Sequence, residues 1–414
     1  MLSLPKSRLN FFLDRGVYLA ILTYLAALAF STALMEIACV VALLGWAVLK
    51  FERRQWKSLP VEKETFFFLA VFAMLSVISF FWSEFPKQSF RGIFKVLKQV
   101  LLFWMVTETL NTPARQKTAF RVLTFVFIGL GLDGAWQYVF GKDLIRHIAF
   151  EPASSGPRIS ASFHNYGLLA SFVISFLPPL VSRFERSAAW TQKLGASLAT
   201  ALGLLLLFWT RLRGAWVALF GGICFFLWNS KKRMYLALVL LAALGGLFAL
   251  PRSMVIHLDS QGKEQSLIER FYLWDRAIQV VKARPWTGTG INTYSVAHQK
   301  YDRTQSWRVK NYYAHNGYLQ IAAETGLPSL FCLLTFFFLY FRGAFQTLRK
   351  IPEGMERRTL VGFLTGLVNF LILAVIDTIF HNPPAVMGFW FLMGWAAAYR
   401  NLLEPNRAVS SLED

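Results

Sequence analysis

The chain has 414 residues, 55% of them hydrophobic, with 40 Phe and a formal net charge of +20. That apolar content excludes an ordinary soluble two-domain protein and places the chain among polytopic membrane proteins. In that class the positive charge anchors loops at a membrane surface or meets an anionic substrate, so it is not read as nucleic-acid binding.

A membrane span needs about 20 apolar residues. By that ruler twelve stretches qualify, near 17–31, 33–49, 65–83, 94–110, 119–140, 165–182, 195–210, 214–229, 234–250, 317–341, 359–378 and 385–400. The expected fold class is an all-α polytopic membrane protein of about 12 transmembrane helices, with a large periplasmic helical loop between spans nine and ten. The first pair is joined by almost no loop. Val17–Leu49 is long enough for two spans and lacks a small-residue cleavage site, unlike a signal peptide. The fourth span carries Lys95 and Lys98. Cys39, Cys224 and Cys332 all lie in apolar stretches, which reads as core packing rather than a disulfide framework or a metal site.

With both termini cytoplasmic, every inward segment carries at least two Lys or Arg, from Lys6, Arg8 and Arg15 at one end to Arg400 and Arg407 at the other. The positive-inside rule expects this. Residues 251–316 then fall outside, in the periplasm of a Gram-negative cell, and the chain divides into 1–250 (spans one to nine), 251–316 (the outer loop) and 317–414 (the last three spans and a cytoplasmic tail). The outer side is also rich in cations. Ten lie in 251–314, others are Lys142, Arg146 and Arg158, and a pair is Arg211 and Arg213. Such charges fit anionic lipid headgroups or the phosphates of a substrate equally well.

Within the outer loop, Gln265–Ala283 has helical periodicity. Leu267, Phe271, Trp274, Ile278 and Val281 form one apolar stripe, with Arg270, Arg276 and Lys282 off it and Pro285 ending the helix. This predicts an amphipathic helix lying on the membrane or on other helices, its cations turned toward a cleft. Thr287-Gly288-Thr289-Gly290 reads as a tight connector, because no strand precedes it and no Lys-Ser/Thr follows. Ile291–Asp302 is a candidate second helix. His315-Asn316 opens the tenth span, and eleven residues on comes Gly326. Three helical turns separate them, so they are expected to share a face, with Gly326 admitting a close neighbour and Pro328 bending the span. On residue type alone His315 is either a capping group or a general base.

His315-Asn316, nine residues and Gly326 resemble the signature of the bacterial O-antigen ligases and their relatives, the O-antigen polymerases and protein O-oligosaccharyltransferases. Arg270 with Trp274 and Pro285 is similar to the same domain's Arg-x-x-x-Trp helix. Arg213-Gly214 is similar to its outward Arg-Gly at a span boundary, and Arg158–Asn165 to a loop rich in Gly and Asn. The chain departs from the pattern at Leu212 (usually Ser), at Ser329 (usually Gly) and at Phe163-His164-Asn165 (usually Asn-Pro-Asn).

The resemblance implies metal-independent glycosyl transfer with no cofactor. The donor would be O-antigen on undecaprenyl diphosphate, and the acceptor a sugar hydroxyl of lipid A-core in the inner membrane. The implied catalytic residues are Arg213 and Arg270, which stabilise the leaving diphosphate, and His315, the base. Arginine suits the first task because it never deprotonates and pairs bidentately with phosphate. Arg211, Asn316, Asp377, His381 and Arg158 are candidate substrate-binding groups. Asp377 and His381, four apart at the outer end of span eleven, are expected to share a helix face and meet His315, with Asp377 orienting an imidazole, binding acceptor sugar or capping the helix. Membrane lipids are the remaining partners. An O-antigen polymerase is the close alternative, and a transporter of lipid-linked sugars a weaker one, since no internal repeat is visible.

Overall fold

The structure is a computed structural model describing residues 6–53, 59–151, 157–183, 190–230, 234–238, 240, 265–301 and 313–404. Its helices are α1 (Lys6–Phe30), α2 (Thr32–Arg53), α3 (Lys63–Ile78, extended by a 3-10 turn Ser79–Trp82), α4 (Pro86–Thr109), α5 (Pro113–Phe140), α6 (Tyr166–Ser182), α7 (Trp190–Thr210), α8 (Arg213–Asn229), α9 (Gln265–Ala283), the single turn α10 (Tyr294–Ala297), α11 (Gly317–Thr325), α12 (Leu327–Lys350), α13 (Met355–Ile376) and α14 (Pro383–Leu403). The described residues hold no strand, only two isolated bridges in the loop after α5. Seven of these helices are long and apolar enough to cross a membrane. The protein is an all-α polytopic membrane protein. The ninth predicted span, 234–250, and residues 251–264 and 302–312 lie largely outside the described residues.

Local chemistry sets the helix ends. Ser31 alone separates α1 from α2, and its Oγ accepts from the Leu34 N–H (3.2 Å), which turns two spans into a tight hairpin. Thr112 caps α5 ahead of Pro113, and Gly141 closes that helix in the left-handed conformation (φ 80°). Asn165 caps α6 and Asn316 caps α11, each accepting from two backbone N–H groups.

Every residue from Ala385 to Arg400 of α14 is buried, so this helix is the pole of the bundle. It packs on α4 and α6, while α13 packs on α6 and α8. Small residues allow the close approaches: Gly362 meets Ser182 and Gly366 meets the Ser175 carbonyl. Asn369 Nδ2 donates to the Ile174 carbonyl (2.7 Å), a buried polar tie between α13 and α6. On the rim the pattern inverts. Ile37, Val41 and Leu44 of α2 are exposed, as lipid-facing side chains are.

Contacts sort the helix ends into two faces that follow the predicted alternation. On one face Arg53 and Arg115 meet Asp14, Lys50 meets Glu108, Arg400 meets Glu62, and Arg357 reaches the Asn229 carbonyl. On the other face Arg146 donates to the Phe30 carbonyl, Arg284 meets Glu84, and His315 meets Asp377. The lysines inside the fourth span turn inward: Lys98 pairs with Glu36 (2.5 Å) and Lys95 donates to Asn292 Oδ1 (2.8 Å).

Two expectations are corrected. The predicted tenth span, 317–341, is two helices, because Gly326 (φ 85°) ends α11 and Pro328 sits harmlessly in the first turn of α12. His315 and Gly326 therefore do not share a helix face. Gly326 does admit a close neighbour, but that neighbour is the Trp286-Thr287 backbone rather than a helix or a lipid chain. In α9 the buried face is Leu273, Arg276, Ala277 and Val280, whereas Phe271 is 63% exposed and Ile278 is also exposed. Phe271 and Ile278 thus face outward, as in a helix lying at a lipid surface, while Trp274 and Val281 are half-buried and Arg276 (3% exposed) faces the protein and stacks on Tyr272.

Candidate functional site

The end of α13 is ringed by the first turns of three other helices, and each of those turns carries a glycine that allows the approach. A Cβ on Gly214 of α8 would lie 2.6 Å from Ile376 Cδ1. One on Gly317 of α11 would lie 2.7 Å from Phe380 Cδ2, and one on Gly167 of α6 would lie 3.8 Å from Asp377 Oδ2. The starts of α6, α8 and α11 thus converge on Asp377. A helix N-terminus carries a partial positive charge even when capped, as α6 and α11 are by Asn165 and Asn316, so three of them around one point favour an anion.

Asp377 follows the last residue of α13 in extended conformation, and its Oδ1 accepts from the Thr378 N–H (2.7 Å). The same Oδ1 lies 3.4 Å from His315 Nδ1. His315 has φ 46°, a left-handed backbone uncommon for a non-glycine residue. Such strain persists where neighbours over-determine it. Here Asn316 fixes the next residues by capping α11 (3.0 Å to both Tyr318 N and Leu319 N), and Trp274 Nε1 donates to the His315 carbonyl (3.1 Å). With Nδ1 turned to Asp377, the imidazole presents Nε2 to any ligand.

Of the candidate cations, Arg213 is tied most directly to this pair. Arg213 is the first residue of α8, and Gly214 beside it touches Ile376, the neighbour of Asp377. Arg211 has φ 52° and is half-buried. Arg270 is half-buried on α9, one turn before Trp274. Arg158 Nη1 donates to Tyr166 Oη (3.0 Å) and its guanidinium lies 4.8 Å from the Tyr166 ring centroid. The Ile159 N–H donates to the Trp209 carbonyl, which ties this loop to the end of α7 near Arg211.

Two site expectations change. His381 does not join His315. Helix α13 stops at Ile376 and the chain turns, with the His381 N–H donating to the Thr378 carbonyl, so a four-residue spacing no longer means a shared face. His381 instead stacks on Tyr313, meets Gln320 (3.2 Å), and lines a separate cavity of about 140 Å³ with Lys95, Lys98 and Glu324. Burial, with Lys95 nearby, pushes its imidazole down to about 4. Asn316 is narrowed as a candidate ligand group: its side-chain oxygen is spent on the helix cap, which leaves the amide Nδ2 as the donor it can offer. Tyr166, held against Arg158, is a further candidate that sequence reasoning missed. The available signal was Asn165-Tyr166-Gly167, a cap followed by a glycine, the pattern that recurs at Asn316-Gly317.

Residues 198–334 match the family model described as O-antigen ligase. The likeness to the O-antigen ligases covers this segment, a minority of the chain. The matched segment contains Arg213, Arg270, His315 and Gly326, while Arg158 and Asp377 lie outside it. The chain is also similar to the exopolysaccharide production protein ExoQ of Rhizobium meliloti (strain 1021), at 23% identity over 364 residues, covering 84% of this chain and 80% of that protein. These likenesses support a multi-pass membrane enzyme of polysaccharide assembly, of the ligase or polymerase type, with lipid-linked polysaccharide as its general substrate class. One family departure has a visible local consequence: Leu212 stands where Ser would cap α8, and this helix start has no side-chain cap.

Proposed function

We propose that this protein transfers O-antigen polysaccharide from undecaprenyl diphosphate to a sugar hydroxyl of lipid A-core, with inversion, at the periplasmic face of the inner membrane. The observation that carries the reading is the meeting of His315 and Asp377 among three helix N-termini and Arg213. The acceptor oxygen attacks the anomeric carbon while the bond from that carbon to the diphosphate oxygen breaks. His315 Nε2 takes the hydroxyl proton, and Asp377 holds the ring and balances the imidazolium that forms. The lipid diphosphate leaves with one more negative charge. Arg213, Arg270 and the helix starts stabilise that charge without a metal or cofactor. Arg211, Arg158 and Tyr166 contact the phosphates or sugars of the substrates, and membrane lipids hold the prenyl chain.

An O-antigen polymerase, with a lipid-linked repeat unit as acceptor, is the second reading, favoured by the relative's part in exopolysaccharide production. A null strain of the source organism tests both. Long polymer left on undecaprenyl diphosphate and uncapped lipid A-core support the ligase. Single repeats on the core support the polymerase. Unchanged lipopolysaccharide and exopolysaccharide overturn both.

A further inference from the structure

The turn between α9 and α10 docks on α11 and caps its end in trans. Thr289 N–H donates to the Ala323 carbonyl (3.0 Å) and Gly290 N–H to the Glu324 carbonyl (2.9 Å), so two carbonyls that a helix end leaves unpaired are satisfied by another segment. Two glycines in positive-φ conformations make the fit. A Cβ on Gly288 (φ 64°) would fall on the Glu324 carbonyl, and one on Gly326 (φ 85°) on the Trp286 carbonyl.

Glu324 then reaches back across the joint. Its side chain belongs to a residue only 7% exposed, and both carboxylate oxygens are used. Oε2 accepts from the Asn292 N–H (2.8 Å), while Oε1 accepts from the Tyr294 N–H (3.1 Å) and Gln320 Nε2 (3.2 Å). A buried carboxylate is costly unless hydrogen-bonded, and here backbone donors of the turn and the Gln320 amide supply the bonds. The Asn292 side chain pins the same turn to α4, accepting from Lys95 Nζ (2.8 Å) and donating to the Gln88 carbonyl (3.1 Å). Glu324 lies nine residues beyond His315, and its side-chain hydrogen bonds go to the turn and to Gln320.

We infer that Glu324 is a positioning residue: its carboxylate fastens the 288–294 turn to α11 and so holds Arg270 and Trp274 of α9 in register over His315. What Arg270 does once held rests on the proposed transfer; the fastening itself does not.

The test is hydrogen–deuterium exchange on the full chain in nanodiscs, without substrate, followed by transfer from a lipid-diphosphate-linked glycan. In Glu324→Ala, exchange across 288–294 should rise about tenfold or more while α13 and α14 keep the parent's rates. Transfer should fall in the same variant, and adding Arg270→Ala should cost little further, because two changes that remove one interaction do not add. Unchanged exchange at 288–294, or losses in transfer that multiply, overturn the inference. Should Glu324→Ala also loosen α13 and α14, two milder variants decide. Glu324→Gln keeps one accepting oxygen but turns an NH2 toward the other donor, and Asn292→Ala cuts the pin to Lys95. Each should raise exchange in the turn alone, and parent-like exchange in both overturns the inference. If the parent transfers no glycan, the proposed function fails and the exchange arm still decides the role of Glu324.

Discussion

His315 Nδ1 faces Asp377 Oδ1 at 3.4 Å, joining the start of α11 to the end of α13 across 62 residues of chain. If the two act as base and orienting partner, His315→Ala should lower transfer by roughly 10²- to 10⁴-fold. Asp377→Asn should cost less, and the double variant should be no slower than His315→Ala alone. Rates measured on folded, purified variants with saturating donor decide it. Losses that multiply would mean that the residues work independently.

Arg213 and Arg270 are predicted to need their guanidinium groups and not merely their charge. Arg213→Lys and Arg270→Lys keep the charge but lose the planar fork that pairs bidentately with phosphate. Each should reduce transfer by about tenfold or more, a loss of about 1.4 kcal/mol of transition-state stabilisation. A lysine variant as active as the parent would show that a point charge suffices.

Gly317 is predicted to be required for placement of His315. A methyl group there meets the Phe380 ring, which itself packs against Phe370 and Phe389. Gly317→Ala should destabilise the protein by about 1–3 kcal/mol and displace the start of α11. Transfer per folded molecule should drop as well. Parent-like kinetics in the folded fraction would separate the glycine from the site.

His381 sets a pH dependence of stability rather than of catalysis. Its imidazole, at about 4 in the folded protein against about 6.5 in an unfolded chain, is neutral at working pH. The unfolded chain takes up the proton first. Its contribution is therefore complete above pH 6.5 and is lost as pH falls toward 4, by an amount on the order of a few kcal/mol. Thermal unfolding in detergent should show this fall between pH 7 and pH 5, and His381→Gln should flatten it. The same variant should leave the pH profile of transfer above pH 5 unchanged, and a shifted profile would place His381 in the chemistry after all.

Hydropathy alone fixed much of this protein. Eleven of the predicted spans fall on helices, because a segment in lipid must satisfy its backbone internally and must be apolar to remain there. The alternation of faces was legible from Lys and Arg in short loops, and His315, Arg213 and Arg270 from local motifs. What periodicity misread were features decided by contacts far apart in sequence. Gly326 broke a stretch that hydropathy reads as continuous, because the Trp286 backbone occupies the space beside it. The stripe at Phe271 and Ile278 faced outward, because burial in a membrane protein has two apolar solvents to choose between, the core and the lipid. His381 left the site because Asp377 is not helical. Only the tertiary structure could bring Asn165, Arg213 and Asn316, three helix starts scattered over 150 residues, to the end of α13. An anion site made of helix termini has no single sequence element, since its charge comes from backbone groups whose direction is set by packing.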